Sequence, residues 1–334
     1  MARQFQIYGI GAALVDMEFP VDDSFLSRHR IAKGHMTLVE EDRLEALLSE
    51  LEEPPRRASG GSAANTIYAA QAMGARTFYS CKVAGDPTGA YFIEALNRIG
   101  ATTNPHPEDA PGISGRCLVL VTPDAERSMN TYLGISAELS RAEVNEQALR
   151  DAELLYVEGY LASSPSGRDA AMHCRELATE AGLRTSITLS DPAMVQHFRS
   201  ELESMLGNGV DNLFCNEEEA LNWARTDRLD IALNELQDIG RNLYVTLGAQ
   251  GSMVVTADGR TSVPGFQVKA LDTNGAGDIY AGACMYGWFA GMPPAMAARL
   301  GNFAAARLVT RYGARLPDPA EYKALLKDFR QLPH

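Results

Sequence analysis

The chain has 334 residues, of which 46% are apolar and 22% are charged, proportions that are usual for a globular protein with a substantial core. Its 30 Lys and Arg against 43 Asp and Glu leave a formal net charge of −13, which argues against nucleic-acid binding because phosphates are repelled. Any phosphate ligand must therefore be bound by local devices, such as backbone amides, a helix N-terminus or a metal ion.

The cysteines and histidines lack the spacing of a metal site. The five cysteines are scattered, with no Cys-x-x-Cys pair, which indicates reduced thiols in a cytosolic protein. The first residues contain no apolar leader, and the most apolar later run, near 281–290, is too short to cross a bilayer. We therefore expect a cytoplasmic protein that does not bind membranes.

Short apolar runs alternate along the chain with amphipathic helical patterns. The predicted strands are 7–11, 77–83, 154–157, 184–189, 212–215 and 243–247. The predicted helices are 63–73, 91–99, 168–181, 195–206 and 217–224. This alternation predicts an α/β fold with a doubly wound, mostly parallel central sheet and helices on both faces.

Two regions break the alternation, because residues 34–40 and 115–133 read as strands with no helix between them. The second region is a hairpin whose turn is Pro123-Asp124-Ala125-Glu126. We expect a small antiparallel β lid built from about residues 12–20, 34–40 and 113–134, inserted in a single domain that spans residues 1–334. The run Pro54-Pro55-Arg56-Arg57 predicts a loop, since paired prolines disfavour both helices and strand ladders.

The strongest chemical pattern is D-T-N-G-A-G-D, from Asp272 to Asp278, followed by an apolar helix of small residues. The turn opens a helix, so free N–H groups of Gly275, Ala276 and Gly277 could form an anion hole at the positive end of the dipole. Asp278 in the first turn could remove the proton of an attacking hydroxyl. The pattern suits phosphoryl transfer, and a glycine turn with Asp as a helix cap is the alternative reading.

This string resembles the C-terminal signature of the ribokinase-like (PfkB) family of sugar and nucleoside kinases. The string G-G-S-A-A-N at 60–65, which opens a helix, and G-D-P-T-G at 85–89 are similar to a second signature of that family. The resemblance runs in order from about residue 9 to residue 317. It implies an ATP-dependent kinase that uses Mg²⁺ and, in parts of the family, a monovalent cation.

The resemblance also implies a substrate site. Asp16 would accept hydrogen bonds from the sugar hydroxyls, and Gly60, Gly61, Ser62 and Asn65 would lie around the sugar. A carboxylate can accept hydrogen bonds from two neighbouring hydroxyls, and an Asn can both donate and accept. Taken alone, Asp16 also fits a turn carboxylate, and the glycine pair fits a helix-entry turn.

On the ATP side, the string N-E-E-E at 216–219 resembles the family element that organises Mg²⁺, with Asn216 and Glu219 acting through water. An N-cap with an acidic first turn is the alternative reading of this string, and it is compatible with the metal role. The residues that the resemblance assigns to the nucleotide are Thr246, Gly248, Gly251 and Asn302, the last in a helix that would flank the adenine.

The predicted lid contributes further candidates. Arg127, at the start of the second hairpin strand, is expected to swing over the phosphates and exclude water when the lid closes, and Arg116 is the competing candidate. The apolar lid residues that could clasp a base are Met36, Cys117, Met129 and Leu133.

Details of the motifs favour a purine nucleoside, with adenosine first, phosphorylated on its 5′-hydroxyl. Ser62 stands where ribokinases typically carry Lys, and the strings at 272–278 and 189–192 resemble adenosine kinases. Ala12 departs from the animal adenosine kinases, which carry Asn there, and the strings at 14–18 and 314–317 resemble bacterial inosine–guanosine kinases.

The remaining alternatives are an inosine/guanosine kinase, a fructokinase- or ribokinase-type sugar kinase, and a non-catalytic ligand-binding protein on the same fold. The intact Asp278 argues against the last, because a binding protein needs no base at that position. The expected partner is a small-molecule nucleoside or sugar, and the sequence is compatible with a monomer or a homodimer.

Overall fold

The computed structural model describes residues 3–124 and 126–332. Within them the strands are β1 (Phe5–Ile10), β2 (Leu14–Pro20), β3 (Met36–Leu38), β4 (Arg56–Gly60), β5 (Thr77–Ser80), β6 (Thr102–Thr103), β7 (Gly115–Val121), β8 (Arg127–Tyr132), β9 (Ala152–Glu158), β10 (Arg184–Thr188), β11 (Val210–Asn216), β12 (Gly240–Thr246), β13 (Gly251–Thr256) and β14 (Gly259–Pro264). The α-helices are α1 (Asp23–Arg28), α2 (Glu41–Leu48), α3 (Ser62–Met73), α4 (Pro87–Arg98), α5 (Glu146–Arg150), α6 (Pro165–Glu180), α7 (Pro192–His197), α8 (Arg199–Leu206), α9 (Glu217–Ala224), α10 (Leu229–Leu236), α11 (Ala276–Phe289), α12 (Pro294–Leu308) and α13 (Pro319–Arg330).

The large sheet has the strand order β14-β13-β12-β11-β10-β9-β1-β5-β6. Neighbouring strands from β12 to β6 run parallel, whereas β13 and β14 join antiparallel at one edge. Separate buried apolar clusters cover the two faces, one including α3, α11, α12 and α13, the other α6, α8, α9 and α10. The doubly wound α/β fold is thereby confirmed.

Small side chains let α11 pack closely on its neighbours. Eight of the 14 residues of this helix are buried, and a Cβ placed on Gly282 would lie 2.6 Å from the carbonyl oxygen of Thr66 in α3. The close approach brings the N-termini of α3 and α11 to the same end of the large sheet, at the carboxyl ends of its parallel strands.

A second sheet, called the lid sheet below, has the order β3-β8-β7-β2-β4. Its central hairpin, β7 with β8, is antiparallel as expected, while the pairs β2–β7 and β3–β8 run parallel. Ala125 of the predicted hairpin turn lies outside the described residues. One face of the lid sheet packs on α1 and α2 through Met17, Phe19, Leu118 and Leu120. The other, called the cleft face, carries Asp16.

Two local predictions are corrected. Residues 195–206 form two helices rather than one, because the backbone leaves helical geometry at Phe198, whose side chain packs on the core. The predicted loop at 54–57 ends earlier, since Arg56 begins β4, an edge strand that pairs only with β2. No helix in the described part of the chain has both the length and the apolar character required to span a membrane.

Candidate active site

The predicted base lies where the two glycine motifs meet. Asp278, in the first turn of α11, accepts a 2.7 Å hydrogen bond from Ser62 Oγ on Oδ1 and a 2.9 Å hydrogen bond from Asn65 Nδ2 on Oδ2. Ser62 and Asn65 occupy the first turn of α3. The carboxylate is therefore held in one orientation by two donors that are more than 200 residues away in the chain.

The N-terminus of α11 offers open space beside free amides. Among the described residues, no hydrogen bond uses the backbone N–H of Gly277 or Asp278, whereas the N–H of Ala276, which was expected to be free, donates to Thr273 O at 3.2 Å. A Cβ on Gly277 would meet no atom within 4 Å, whereas a Cβ on Gly275, at φ 73°, would lie 2.4 Å from Ala314 O. Gly275 thus permits the tight turn, and Gly277 leaves room for an anion over the helix N-terminus.

Burial tunes the basicity of this carboxyl group. Burial raises the pKa of Asp278 from 3.8 to about 6, and the hydrogen bonds from Asn65 and Ser62 and the charge of Arg315 oppose that rise. The group is therefore ionised at neutral pH, yet a better proton acceptor than an ordinary aspartate. Both properties suit a general base.

Asp16 stands on the cleft face beside the glycine pair. A Cβ on Gly60 would lie 2.7 Å from Asp16 Oδ1, and a Cβ on Gly61, at φ 93°, would lie 2.5 Å from Ala12 O. No hydrogen bond from the described residues reaches the Asp16 carboxylate, and burial raises its pKa to about 6. Its lone pairs are available to the hydroxyls of a ligand.

Arg315 belongs to the same cluster, although the sequence analysis did not single it out as a site residue. Its Nε donates to Asn65 Oδ1 and its Nη1 donates to Ser59 Oγ, both at 2.5 Å. The guanidinium carbon lies 4.6 Å from the centroid of the Tyr68 ring. In the sequence, the string at 314–317 indicates only a resemblance to bacterial inosine–guanosine kinases.

Glu158 is a second residue that the sequence analysis missed. It ends β9 with 0% exposure, and its two oxygens accept 2.7 Å hydrogen bonds from the backbone N–H groups of Ala12 and Ala63. Burial raises its pKa to about 7. The available signal was a carboxylate that directly follows the apolar strand residues 154–157.

The two lid arginines have different surroundings. The Arg127 side chain is 9% exposed, and its Nη1 donates to Glu18 Oε2 at 2.8 Å and lies 3.5 Å from Asp272 Oδ2. Arg127 is therefore ion-paired in this structure, and its movement over the phosphates when the lid closes stays a prediction. Arg116 lies on the opposite face of the lid sheet, where its Nη2 donates to Glu45 of α2 at 2.5 Å. Its guanidinium points away from the cleft.

The residues predicted for Mg²⁺ form a helix cap. Asn216 Oδ1 accepts from the Glu219 N–H at 2.8 Å, and Glu219 Oε2 accepts from the Asn216 N–H at 3.2 Å. Glu219 is 3% exposed, and burial, with the nearby charges of Asp191 and Asp278 adding to it, raises its pKa to about 8. No cluster of three or more potential metal ligands occurs among residues 3–124 and 126–332. This acidic region fits an Mg²⁺ ion held mostly by water and phosphate rather than by a protein cage.

The predicted nucleotide residues lie at the carboxyl end of β12 and around the β13–β14 hairpin. Thr246 ends β12, and a Cβ added to Gly248, at φ 57°, would meet no atom within 4 Å. Gly251 approaches the backbone so closely that a Cβ would lie 2.2 Å from Val263 O. Asn302 Nδ2 donates to Val263 O at 2.9 Å, so this side chain attaches the hairpin to α12. Its predicted contact with the nucleotide stays a prediction.

Apolar side chains line the cleft face of the lid sheet. Met36 is opposite Met129, and Asp16 is opposite Cys117, so the strand alternation places these four on one face. Met36 is 47% exposed and Leu38 is 59% exposed. Leu133, the fourth base-clasping candidate, follows directly after β8. The cleft face thus combines the Asp16 carboxylate, which is not ion-paired with any described residue, with an apolar surface.

Known proteins resemble this chain in sequence and structure. Residues 36–321 match the pfkB family carbohydrate kinase. An adenosine kinase from Sinorhizobium meliloti is 35% identical with a TM-score of 0.88, and a probable sugar kinase from Rhizobium etli CFN 42 is 32% identical with a TM-score of 0.89. Each comparison covers 98% of this chain and 99% of the other chain.

A curated relative, the guanosine-inosine kinase of Escherichia coli K12, is 26% identical over 223 residues, which are 64% of this chain and 51% of that protein. The family match and the two structural neighbours cover most of this chain, including both glycine motifs and the Asp278 turn. The chain therefore belongs to the PfkB family of sugar and nucleoside kinases, phosphotransferases that act on an alcohol group.

Proposed function

We propose that this chain transfers the γ-phosphoryl group of ATP to the 5′-hydroxyl of a purine nucleoside, with adenosine as the first candidate. The observation that carries the proposal is the Asp278 carboxylate, held by Ser62 and Asn65 at the N-terminus of α11. A proton acceptor next to free helix amides is what in-line phosphoryl transfer requires.

The residues of the chain have separate tasks in this reaction. Asp16 binds the ribose hydroxyls and so places the 5′-hydroxyl near Asp278, which removes its proton. The amides of Gly275 and Gly277 stabilise the charge on the transferring group. Mg²⁺ bound with ATP would neutralise phosphate charge, and Asn216 and Glu219 would hold it through water.

The apolar surface of the cleft face supports a nucleoside over a simple sugar. Met36 and Leu38 are both well exposed there. Exposed apolar side chains in a cleft favour a flat, weakly hydrated base, whereas a free sugar offers hydroxyls on all sides. The likeness to the adenosine kinase of Sinorhizobium meliloti over nearly the whole chain agrees with this choice.

Inosine or guanosine is the second candidate, since position 12 gives no added support to adenosine. The backbone groups of Ala12 are both engaged, since its N–H donates to Glu158 and its carbonyl accepts from Tyr79 Oη at 2.8 Å. Position 12 therefore offers no free polar group for a base. The similarity to the guanosine-inosine kinase of Escherichia coli points the same way.

A coupled assay of ATP consumption with adenosine, inosine, guanosine, ribose and fructose tests the proposal. We expect the highest kcat/KM with a purine nucleoside. As a matched control, 5′-deoxyadenosine should compete with adenosine and not be phosphorylated, because it lacks the acceptor hydroxyl. A higher kcat/KM for ribose or fructose than for every nucleoside would show that the substrate assignment is wrong.

A further inference from the structure

The loop that follows α12 is attached to the glycine-rich turn of the site. Gly313 N–H donates to Asp272 Oδ2 at 2.8 Å, and Leu316 N–H donates to Tyr322 Oη at 3.2 Å. Between them, Ala314 lies so close to Gly275 that no Cβ would fit there. The backbone on both sides of Arg315 is thus held in place before any ligand binds.

Arg315 and Asn65 form a directed chain of hydrogen bonds to the base. A guanidinium can only donate, so the atom that Arg315 Nε contacts at 2.5 Å must be the amide oxygen of Asn65. The amide nitrogen of Asn65 therefore faces Asp278 Oδ2 at 2.9 Å. Arg315 excludes the flipped amide orientation, in which two oxygens would face each other.

We propose that Arg315 is a positioning residue for phosphoryl transfer, which acts through Asn65 to keep the Asp278 carboxylate oriented and ionised toward the acceptor hydroxyl. The inference rests on the proposed role of Asp278 as the general base. It assigns a function to a loop residue that is about 40 positions away from the glycine-rich turn in sequence.

The surroundings of Arg315 agree with this role. Its Nη1 is occupied by Ser59, its plane lies on Tyr68, and its buried Nη2 has no partner among the described residues. An unpartnered buried donor costs stability unless a ligand or water completes it. The structure thus tolerates an incompletely paired arginine at this position, which a purely structural role would not require.

Charged and titratable groups surround both Arg315 and Asp278. Those that face Arg315 are Asp16, Tyr68, Tyr79 and Tyr322. Those that interact with Asp278, besides Arg315, are Tyr156, Glu158, Tyr160 and Glu219. Burial disfavours the ionised form of Asp278, and the charge of Arg315 favours it.

Two substitutions separate the charge of Arg315 from its hydrogen bonds. We expect Arg315→Met to lower kcat by about 100-fold, as for loss of an effective general base, and to move the acid limb of kcat/KM to higher pH. Arg315→Lys keeps the positive charge but lacks the planar guanidinium that donates to both Asn65 and Ser59. The acid limb of kcat/KM should therefore return to its wild-type pH, while kcat stays low. Arg311→Met is the matched control, because Arg311 belongs to the same loop but donates to Glu321 at 2.6 Å rather than to Asn65, so its loss should change neither quantity.

A double-mutant cycle tests whether Arg315 acts through Asn65. If it does, Arg315→Met combined with Asn65→Ala should lose no more kcat than Asn65→Ala alone, with thermal unfolding confirming that each variant is folded. Multiplicative losses, or an Arg315→Met variant whose acid limb does not move, would overturn the inference.

Asp278→Asn distinguishes failure of this inference from failure of the proposed function. Near-normal turnover of Asp278→Asn would contradict both the assignment of Asp278 as the base and the inference about Arg315. An inactive Asp278→Asn beside an unaffected Arg315→Met would remove the inference alone.

Discussion

Arg127 Nη1 lies 3.5 Å from Asp272 Oδ2, so an ion pair joins the lid sheet to the glycine-rich turn. The same Asp272 carboxylate accepts hydrogen bonds from the N–H groups of Asn274 at 2.9 Å and Gly313 at 2.8 Å. One buried side chain therefore connects the turn, the loop after α12 and the lid sheet. The position of the lid sheet is coupled to the geometry of the glycine-rich turn.

Arg127→Met should weaken both stability and turnover. Among the described residues, loss of the guanidinium leaves the buried Asp272 carboxylate with no cation beside it and Glu18 with only Arg56 at 3.6 Å, and breaking the buried pair costs about 3 kcal/mol. Denaturant unfolding and steady-state kinetics measure the two effects. Arg116→Met is the matched control from the opposite face of the lid sheet, and it should cost under about 1 kcal/mol because its partner Glu45 is half-exposed. Equal effects of the two variants would contradict the assignment.

Asp278→Asn should abolish most turnover and leave binding largely intact. The amide keeps the shape of the carboxylate but cannot take up the proton of the acceptor hydroxyl, so kcat should fall by about 10³-fold. Calorimetric titration with the nucleoside should still show binding. Near-normal turnover would show that Asp278 is not the base.

Activity should depend on pH in the acidic range. The base must be ionised, and burial raises the pKa of Asp278 to about 6, so kcat/KM should fall as the pH drops through about 6. Ser62→Ala removes a hydrogen bond that lowers this pKa, and the fall should then begin at higher pH. A profile that stays flat down to pH 4.5 would contradict this prediction.

The two glycines of the turn should respond differently to alanine. Gly275→Ala adds a Cβ at 2.4 Å from Ala314 O and at positive φ, so the variant should lose both stability and turnover. Gly277→Ala meets no atom within 4 Å, so thermal unfolding should be unchanged. Its methyl group would instead occupy the space for the anion and raise KM for ATP. An unchanged KM for ATP in Gly277→Ala would exclude the proposed anion hole.

Glu158→Gln should destabilise the fold by about 1–3 kcal/mol, because an amide can accept only one of the two hydrogen bonds from Ala12 and Ala63 and leaves the other donor unpaired. Burial raises the pKa of Glu158 from 4.5 to about 7, so the folded state holds this proton more tightly than the unfolded chain. The resulting contribution is complete below pH 4.5 and is lost as the pH rises through about 7.

The pH dependence of unfolding in wild type and Glu158→Gln measures this effect. The stability difference between the two proteins should vary between pH 4.5 and 7, since only the wild type can titrate at this position. A difference that is the same at every pH in that range would contradict the pKa assignment.

The fold class and the individual motifs could be predicted from the sequence because they depend on local patterns. Apolar runs that alternate with helical periodicity determined the doubly wound sheet. Glycines at the start of helices α3 and α11 indicated the two turns around Ser62 and Asp278. Each of these signals lies within about ten residues of chain.

The sequence did not predict which face of the lid sheet each side chain would lie on. Arg116 and Arg127 are both arginines on one hairpin, and the parity of their positions decides which one reaches the cleft. Because both faces of the lid sheet carry apolar side chains, the sequence did not show which face packs on helices and which lines the cleft.

The contacts that organise the site were decided by the tertiary structure alone. Arg315 is 250 residues from Asn65 in the chain, and Glu158 is 146 residues from Ala12. Such pairs form only because α3, α11 and the loop after α12 pack at one end of the sheet, and no local pattern encodes that packing. The sequence by itself determined a family of kinases and predicted a base at Asp278, and the packing of distant segments decided which side chains hold that carboxylate in place.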